Sequence, residues 1–194
     1  DFFEEFMDRM DISKTHLIGR HGSALTSVHF ATTRPERVSK LVLDGIMPWT
    51  REEGEKYWAE WMRPQWLDEN EDPKPYEVRV GENNYLQLAE DERREATQRA
   101  IGDKNGDLGR WWVVTLKEAL KYDVHTRLHL VQTPTLLLYG ENEWVRRAEG
   151  KMVQGIKGSR VVYVPESGTY PAFEHPQIYA SLVLGFLMGS TDHS

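Results

Sequence analysis

Histidine and aspartate side chains stand at several points of the sequence where they could do chemistry. His21 lies in a tight turn of sequence GRHGS, and Asp44 directly follows an apolar run. His125 and His129 are four residues apart, a spacing that would suit two metal ligands on one helix. Because no third ligand accompanies this pair and a Thr-Pro step follows closely, a surface pair is the favoured interpretation and no metal is expected. Asp44 is interpreted as the cap of a strand-to-loop turn.

The turn that holds His21 lies between a predicted strand and a predicted helix. The strand is the apolar run at 16–18, and apolar residues at helical spacing over 25–31 predict the helix. A second strand is predicted at 41–43. A strand, a glycine turn, a helix and a strand in this order form a right-handed crossover, so the two strands should be parallel. We therefore expect an α/β fold with a mostly parallel, doubly wound sheet and helices on both faces.

The composition changes between residues 47 and 123, a segment rich in Trp, Glu and Arg that has no strand pattern and holds a Pro-Lys-Pro break at 73–75. We interpret it as a helical lid inserted between two core segments, 1–46 and 124–194. Its first helix would place Trp58 and Trp61 on one face, where aromatic stripes are more often packing than pocket.

The core pattern resumes after this segment. Strands are predicted at 134–139 and 161–164, a helical stretch lies between them, and an amphipathic helix is predicted over Pro176–Met188. These elements complete the expected sheet.

Three segments, in the same order, resemble the lid-containing members of the α/β-hydrolase fold superfamily. The segment HLIGRHGSA at 16–24 resembles the strand and nucleophile elbow of that family. The segment PTLLLYGENE at 134–143 resembles the strand that presents the acid of the catalytic triad, and the segments SGTYP and EHP within 167–176 resemble the histidine loop. The resemblance covers the chain outside the lid and implies an α/β-hydrolase core.

The resemblance aligns His21 with the nucleophile, Glu143 with the acid and Thr169 with the catalytic histidine. An imidazole has no hydroxyl or carboxylate with which to form the ordinary ester intermediate. A threonine hydroxyl cannot accept a proton at neutral pH. Ordinary serine-hydrolase chemistry is therefore excluded at this site, and one of the three triad members is retained.

One hypothesis is that the site has exchanged its roles. His21 would act as the base with Glu143 orienting it, and Thr169, Ser23 or a water molecule would be the nucleophile. The Gly22 N–H, at the start of a helix, would stabilise an oxyanion. The substrate would be a small apolar ester, lactone or related compound held under the tryptophan-rich lid, with Trp58, Trp61 and Trp144 as candidate contacts.

Three alternatives stay open. A histidine–acid pair could abstract a proton from an activated substrate, which would give a lyase or an oxygenase. A degenerate scaffold could bind a ligand or a protein through the lid pocket without catalysis. The chain could also be an inert fragment. His29 and His175 are interpreted as structural.

The composition limits the partners. The 24 basic and 31 acidic residues give a net charge of -7 and are dispersed, so neither nucleic acid nor an anionic membrane is expected. The chain has no cysteine, which favours a reducing compartment, and we expect a soluble, cytoplasmic protein. No apolar run reaches the roughly 20 residues of a spanning helix, and no signal peptide is evident. A small molecule is the expected partner, and no cofactor is implied.

The family normally has about four strands before the elbow strand, including a loop that gives half of the oxyanion hole. This chain begins with Asp1 and has no initiator methionine. A sheet that started at the elbow strand would leave an apolar edge exposed. We expect that edge to be covered by further sequence, by a second chain or by a second copy in a homodimer.

Overall fold

The computed structural model describes residues 2–72 and 107–189 of the chain. The Pro-Lys-Pro break at 73–75 and the stretch of the predicted lid up to residue 106 lie outside the described residues, as do residues 190–194.

Parallel strands form the centre of the described structure. They run in the order β1-β2-β3-β4, and each neighbouring pair is parallel. The strands are β1 (Thr15–Arg20), β2 (Val38–Asp44), β3 (Thr135–Gly140) and β4 (Arg160–Val164). The predicted α/β fold with a mostly parallel sheet is confirmed.

Helices follow the strands as the crossover pattern requires. They are α1 (Phe2–Arg9), α2 (Gly22–Thr33), α3 (Arg51–Tyr57), α4 (Arg63–Trp66), α5 (Asp107–Lys121), α6 (Glu149–Gly155), α7 (Pro171–Glu174) and α8 (Pro176–Met188). Turns of 3₁₀ helix span Pro35–Arg37, His125–Leu130 and Trp144–Ala148, and a π-helical turn, Trp58–Met62, joins α3 to α4. The helix α8 has the bounds that the apolar pattern predicts.

The sheet buries apolar side chains on both of its faces. Because side chains alternate along a strand, Leu41 and Leu43 of β2 belong to one core while Val42 belongs to the other. The first core is closed by α1, α2 and α6, and the second by α8, whose Val183 is buried. The sheet is therefore doubly wound.

The strand β1 lies at one edge of the sheet. Within residues 2–72 and 107–189 it pairs only with β2. Ile18 of β1 stands beside Val42 in the register, yet Ile18 is 50% exposed while Val42 is fully buried. The helix α8 covers this face of the sheet at the inner strands, but the same face is open to solvent at β1.

The helical insertion between β2 and β3 packs around Trp58. This side chain is buried with Leu67, Val113 and Leu120. Gly54 permits the closest contact, because a Cβ there would lie 1.8 Å from the carbonyl oxygen of Leu120. The helices α3 and α5 therefore approach each other through a position that only glycine can occupy.

The helix α3 is also fixed at its start. Thr50 and Glu53 form a capping box, and Glu53 accepts a 2.8 Å ion pair from Lys151 of α6. This ion pair joins the helical insertion to the core. No helix in the described ranges combines the length and apolar character needed to cross a bilayer.

Candidate active site

The elbow between β1 and α2 holds His21 in an unusual backbone conformation. Its φ is 48° and its ψ is -113°, a region that residues other than glycine rarely adopt. The His21 N–H donates to the carbonyl oxygen of Asp44 over 2.9 Å. At Gly19 a Cβ would lie 2.7 Å from the backbone of Ala24, so the turn is too tight for a larger residue there. Strain of this kind is typical of functional sites.

The side chains of His21 and Glu143 form a direct pair. The imidazole Nε2 lies 2.8 Å from the carboxylate Oε1 of Glu143. The Glu143 side chain is fully buried, while that of His21 is 35% exposed. The second carboxylate oxygen accepts the Gly140 N–H at 3.3 Å, so each oxygen has a polar partner. A buried carboxylate held in this way can orient the imidazole and stabilise its protonated form.

Gly45 leaves the space in which this pair forms. Its φ is 63°, and a Cβ there would lie 2.6 Å from His21 Nε2 and 2.7 Å from Glu143 Oε1. Sequence reasoning missed this residue. The signal that could have found it is an Asp-Gly step directly after a buried strand.

Thr169 lies in the loop between β4 and α7. The Glu174 carboxylate accepts the N–H groups of Gly168 at 2.7 Å and of Tyr170 at 3.0 Å, on either side of Thr169. The Thr169 carbonyl accepts a hydrogen bond from the Arg20 guanidinium. In the part of the chain that the structure describes, no hydrogen bond joins Thr169 to His21. The structure thus connects the Thr169 backbone, and not its hydroxyl, to the elbow.

Ser23 and Gly22 stand in the first turn of α2. The Ser23 hydroxyl donates to the Arg20 carbonyl and accepts the Arg20 N–H, both over 2.8 Å. Its hydrogen-bonding capacity is therefore used within the elbow. Gly22 begins the helix, where the first backbone N–H groups have no partner inside the helix.

Asp44 ends β2 and is fully buried behind the elbow. The Tyr179 hydroxyl of α8 donates to its Oδ2 over 3.1 Å, and Arg20 Nε lies 3.6 Å from the same oxygen. Burial raises the pKa of Asp44 to about 6, against the opposing effect of the Arg20 charge. Its carboxylate faces these two side chains instead of capping the turn.

The tryptophans predicted to contact a substrate lie in three different environments. Trp58 is buried inside the helical insertion, and Trp61 is 59% exposed. Trp144, next to Glu143, stacks on Tyr57 at 5.8 Å between ring centroids, and Tyr57 stacks on Trp49 at 4.9 Å. This aromatic stack joins α3 to the segment that carries Glu143.

A cavity of about 180 Å³ opens beside the stack. It is lined by Met47, Pro48, Trp49, Glu53, Arg147, Ala148 and Lys151. His21 and Glu143 do not line it, so this cavity is separate from their pair.

The other histidines stand apart from this pair. His29 Nδ1 lies 2.9 Å from the Tyr122 hydroxyl, and burial lowers the pKa of His29. His125 and His129 are exposed. Within the described ranges, no three His, Asp or Glu side chains are grouped so that they could hold a metal ion.

The sequence is similar to that of a curated hydrolase. The sequence is 27% identical over 190 residues, 93% of this chain, to the 2-hydroxy-6-oxononadienedioate/2-hydroxy-6-oxononatrienedioate hydrolase 1 of Pseudomonas putida. The chain spans 65% of the length of that relative. No family model matches the sequence.

Solved structures agree with the architecture. An α/β-hydrolase enzyme from a Medee basin deep-sea metagenome library matches 100% of this chain and 72% of its own, with a TM-score of 0.78 and 16% identity. The enol-lactonase of Burkholderia xenovorans LB400 matches 97% of this chain and 71% of its own, with a TM-score of 0.64 and 15% identity. The resemblance seen in the sequence is confirmed, and the chain has the α/β-hydrolase fold.

Proposed function

We propose that this chain carries the core of a hydrolase that cleaves a small, largely apolar ester, lactone or related substrate, with His21 as general base. The observation that carries the proposal is the 2.8 Å contact between His21 Nε2 and the buried Glu143 carboxylate. An imidazole oriented by a buried carboxylate is the proton-accepting unit of many acyl-transfer sites. Here both members come from positions that the fold brings together above the sheet.

The pair favours one protonation pattern. An ionised carboxylate can only accept, so the neutral imidazole of His21 carries its proton on Nε2 and donates it to Glu143. The lone pair is then on Nδ1, which is the atom that would take a proton from a nucleophile. Glu143 would stabilise the imidazolium that results.

Water is the nucleophile that the contacts favour. The Ser23 hydroxyl is occupied within the elbow, and no bond to His21 activates Thr169 in the described structure. Water would lose a proton to Nδ1 as its oxygen attacks the substrate carbonyl, and the Gly22 N–H would face the developing oxyanion. The tetrahedral intermediate would then expel the alkoxide, which takes the proton from Nδ1, and an acid and an alcohol would leave. No covalent ester with the protein is formed.

The substrate class is proposed from the surroundings of Glu143. Trp144 is 42% exposed beside it and continues a stack of rings into the insertion, which suits an apolar ligand. A lactonase among the structural relatives supports lactones as substrates of the same reaction. Trp61, which is also exposed, is proposed as a second contact.

A panel of p-nitrophenyl esters and lactones tests the proposal with the wild-type chain and His21→Ala. We expect hydrolysis by the wild type and a fall of at least about 100-fold in kcat/KM for His21→Ala, since the base is removed. Mass spectrometry should detect no acyl-protein. An unchanged rate in His21→Ala would overturn the proposed role of the imidazole.

A binding function is the second candidate, and it is favoured by the absence of a hydroxyl nucleophile at position 21. In that case no substrate is turned over, and His21→Ala should change ligand affinity by less than about tenfold. Truncation of Trp61 or Trp144 should weaken binding more, because aromatic anchors dominate affinity. The ester and lactone panel separates the two candidates.

The organisation of the whole protein is likewise a proposal. We propose that 47–123 is the lid, between core segments 1–46 and 124–194. We also propose that the open edge of β1 is covered by further sequence, by a second chain or by a second copy in a homodimer. The 50% exposure of Ile18 supports this cover, because apolar sheet edges are rarely left open.

A further inference from the structure

The Arg20 side chain connects the elbow to the loop that carries Thr169. Its Nη2 donates to the Thr169 carbonyl, and its guanidinium carbon lies 4.4 Å from the centroid of the Tyr170 ring. Arg20 directly precedes His21 in the chain. Two different contacts from one side chain therefore tie two consecutive loop residues to the strand that ends at the elbow.

Asp44 stands behind this arginine. The two residues are partners in the β1–β2 register, and the Asp44 carboxylate is fully buried 3.6 Å from Arg20 Nε. Arg20 Nε and Asp44 Oδ1 have no hydrogen-bond partner among the described residues. The pair thus acts through charge more than through a formed hydrogen bond, and Asp44 is the carboxylate that compensates the guanidinium.

The loop has an internal framework of its own. Glu174 holds the N–H groups on both sides of Thr169, and Ser167 Oγ donates to the Val164 carbonyl over 3.0 Å. The Asn142 N–H donates to the Ser167 carbonyl over 2.9 Å, which joins the loop to the acid segment. Arg20 supplies the side-chain contact toward the elbow.

We propose that Arg20, held in place by the charge of Asp44, is the positioning residue that fixes the Thr169 loop against the His21 elbow. The proposal deepens the proposed function, because the loop would form one wall of the site that binds the substrate. Arg20 acts through the Thr169 backbone and takes no part in proton transfer.

The protonation state of Asp44 gives this arrangement a pH dependence. Four groups face its carboxylate: Arg20 from β1, His21 from the elbow, Glu143 from the segment after β3 and Tyr179 from α8. Burial raises the pKa of Asp44 to about 6, so the carboxylate is charged at neutral pH and is protonated in mild acid. Protonation removes the charge that holds Arg20, and the bond to Thr169 should then weaken.

NMR of the isotope-labelled full chain tests the proposal without requiring any turnover. The carbonyl ¹³C shift of Thr169 reports the hydrogen bond from Arg20, and ¹⁵N relaxation of residues 168–170 reports loop order. In the wild type we expect a Thr169 titration with a midpoint near pH 6. In Arg20→Met the titration should vanish, and the order parameters should fall from about 0.85 toward 0.6.

Asp44→Asn separates positioning from folding. At pH 7.5 the Asp44→Asn variant should give the loop spectrum that the wild type shows at pH 5. The conservative variant Arg20→Lys should keep part of the loop order that Arg20→Met loses. Arg160→Met, which removes an exposed arginine from β4, is the matched control and should leave the loop unchanged. Any titration that comes from other carboxylates of the loop persists in Asp44→Asn, so the curve of this variant is subtracted from that of the wild type.

The outcomes distinguish the two proposals. If Arg20→Met folds and the Thr169 shift and loop order stay as in the wild type, the positioning role is wrong, whatever the enzyme activity. If Arg20→Met does not fold, Asp44→Asn is used for the same test. A loop in Asp44→Asn that is unchanged from the wild type at pH 7.5 then overturns the proposal. If the loop responds but no ester or lactone is hydrolysed, the positioning role stands and the hydrolase assignment fails.

Discussion

The imidazole of His21 and the carboxylate of Glu143 meet at 2.8 Å although 122 positions separate them in the chain. The pair exists because β1 and β3 lie on either side of β2. Both residues come just after the carboxyl ends of their strands, which meet at the same edge of the parallel sheet. Gly45, after the strand between them, leaves the room in which the two side chains touch.

Replacing Gly45 by alanine should separate the pair. The new methyl group would lie 2.6 Å from His21 Nε2, and the backbone φ of 63° adds strain. We expect kcat/KM to fall at least about 100-fold and stability to fall by about 1–3 kcal/mol. Gly150→Ala is the control, since nothing lies within 4 Å of its Cβ position. Equal activity in the two variants would show that the contact is dispensable.

Glu143→Gln should change the tautomer of His21. In the wild type the carboxylate only accepts, so the neutral ring should carry its proton on Nε2, whereas an amide can either donate or accept. Ring ¹⁵N shifts of labelled histidine distinguish the two tautomers. We expect a mixture in the variant and a fall in kcat of about 100-fold or more.

Glu52→Gln, an exposed change in α3, should leave both the tautomer and the rate as they are. A wild-type ring protonated on Nδ1 would contradict the proposed role of that nitrogen as the base.

Asp44→Asn should stabilise the protein at neutral pH. The folded-state pKa of Asp44 is raised from 3.8 to about 6, so the folded chain binds the proton more tightly than the unfolded chain does. The free energy of unfolding should therefore decrease as the pH rises between these two values, by on the order of 2–3 kcal/mol.

Urea unfolding of both chains at several pH values measures the effect of Asp44. The Asn variant should lack this slope and should exceed the wild type in stability at pH 7.5. If the variant were less stable than the wild type at that pH, the attraction between Asp44 and the Arg20 charge would contribute more to stability than the burial of the carboxylate costs.

Lys40→Met should loosen the end of α8. The Lys40 side chain of β2 is 7% exposed and donates to the carbonyl groups of Phe186, Leu187 and Gly189. These carbonyl groups lie at the C-terminal end of the helix, where no N–H group of the helix is left to donate a hydrogen bond to them. We expect a loss of about 2–3 kcal/mol in urea unfolding.

Lys157→Met, at an exposed lysine, is the matched control for Lys40→Met and should cost less than about 0.5 kcal/mol. Similar losses of stability in the two variants would indicate that water replaces Lys40 as the hydrogen-bond donor to these carbonyl groups.

Much of the fold follows from local sequence patterns. The apolar runs predict β2 and β3 because a strand buried on both faces is almost continuously apolar, and α8 follows from its periodicity. The pairing of Lys40 with the end of α8 could not be predicted, because a lysine inside a strand usually indicates exposure, and its acceptors lie about 146 positions away.

The candidate site was predicted only in part. Residues 21, 143 and 169 were found by their resemblance to family landmarks, but Gly45 and Arg20 were not, since neither has a side-chain pattern that reveals its contacts. The occupation of the Ser23 hydroxyl by the Arg20 backbone was equally hidden. Such contacts depend on the turn geometry and not on residue type.

The sequence by itself determined the class of the fold, the order of its elements and the absence of a hydroxyl at position 21, because periodicity and residue chemistry are local properties. Only the tertiary structure decided which groups meet: His21 with Glu143, Arg20 with Asp44 and Thr169. Those contacts arise from the register of the parallel strands, which brings the ends of distant segments to one edge of the sheet.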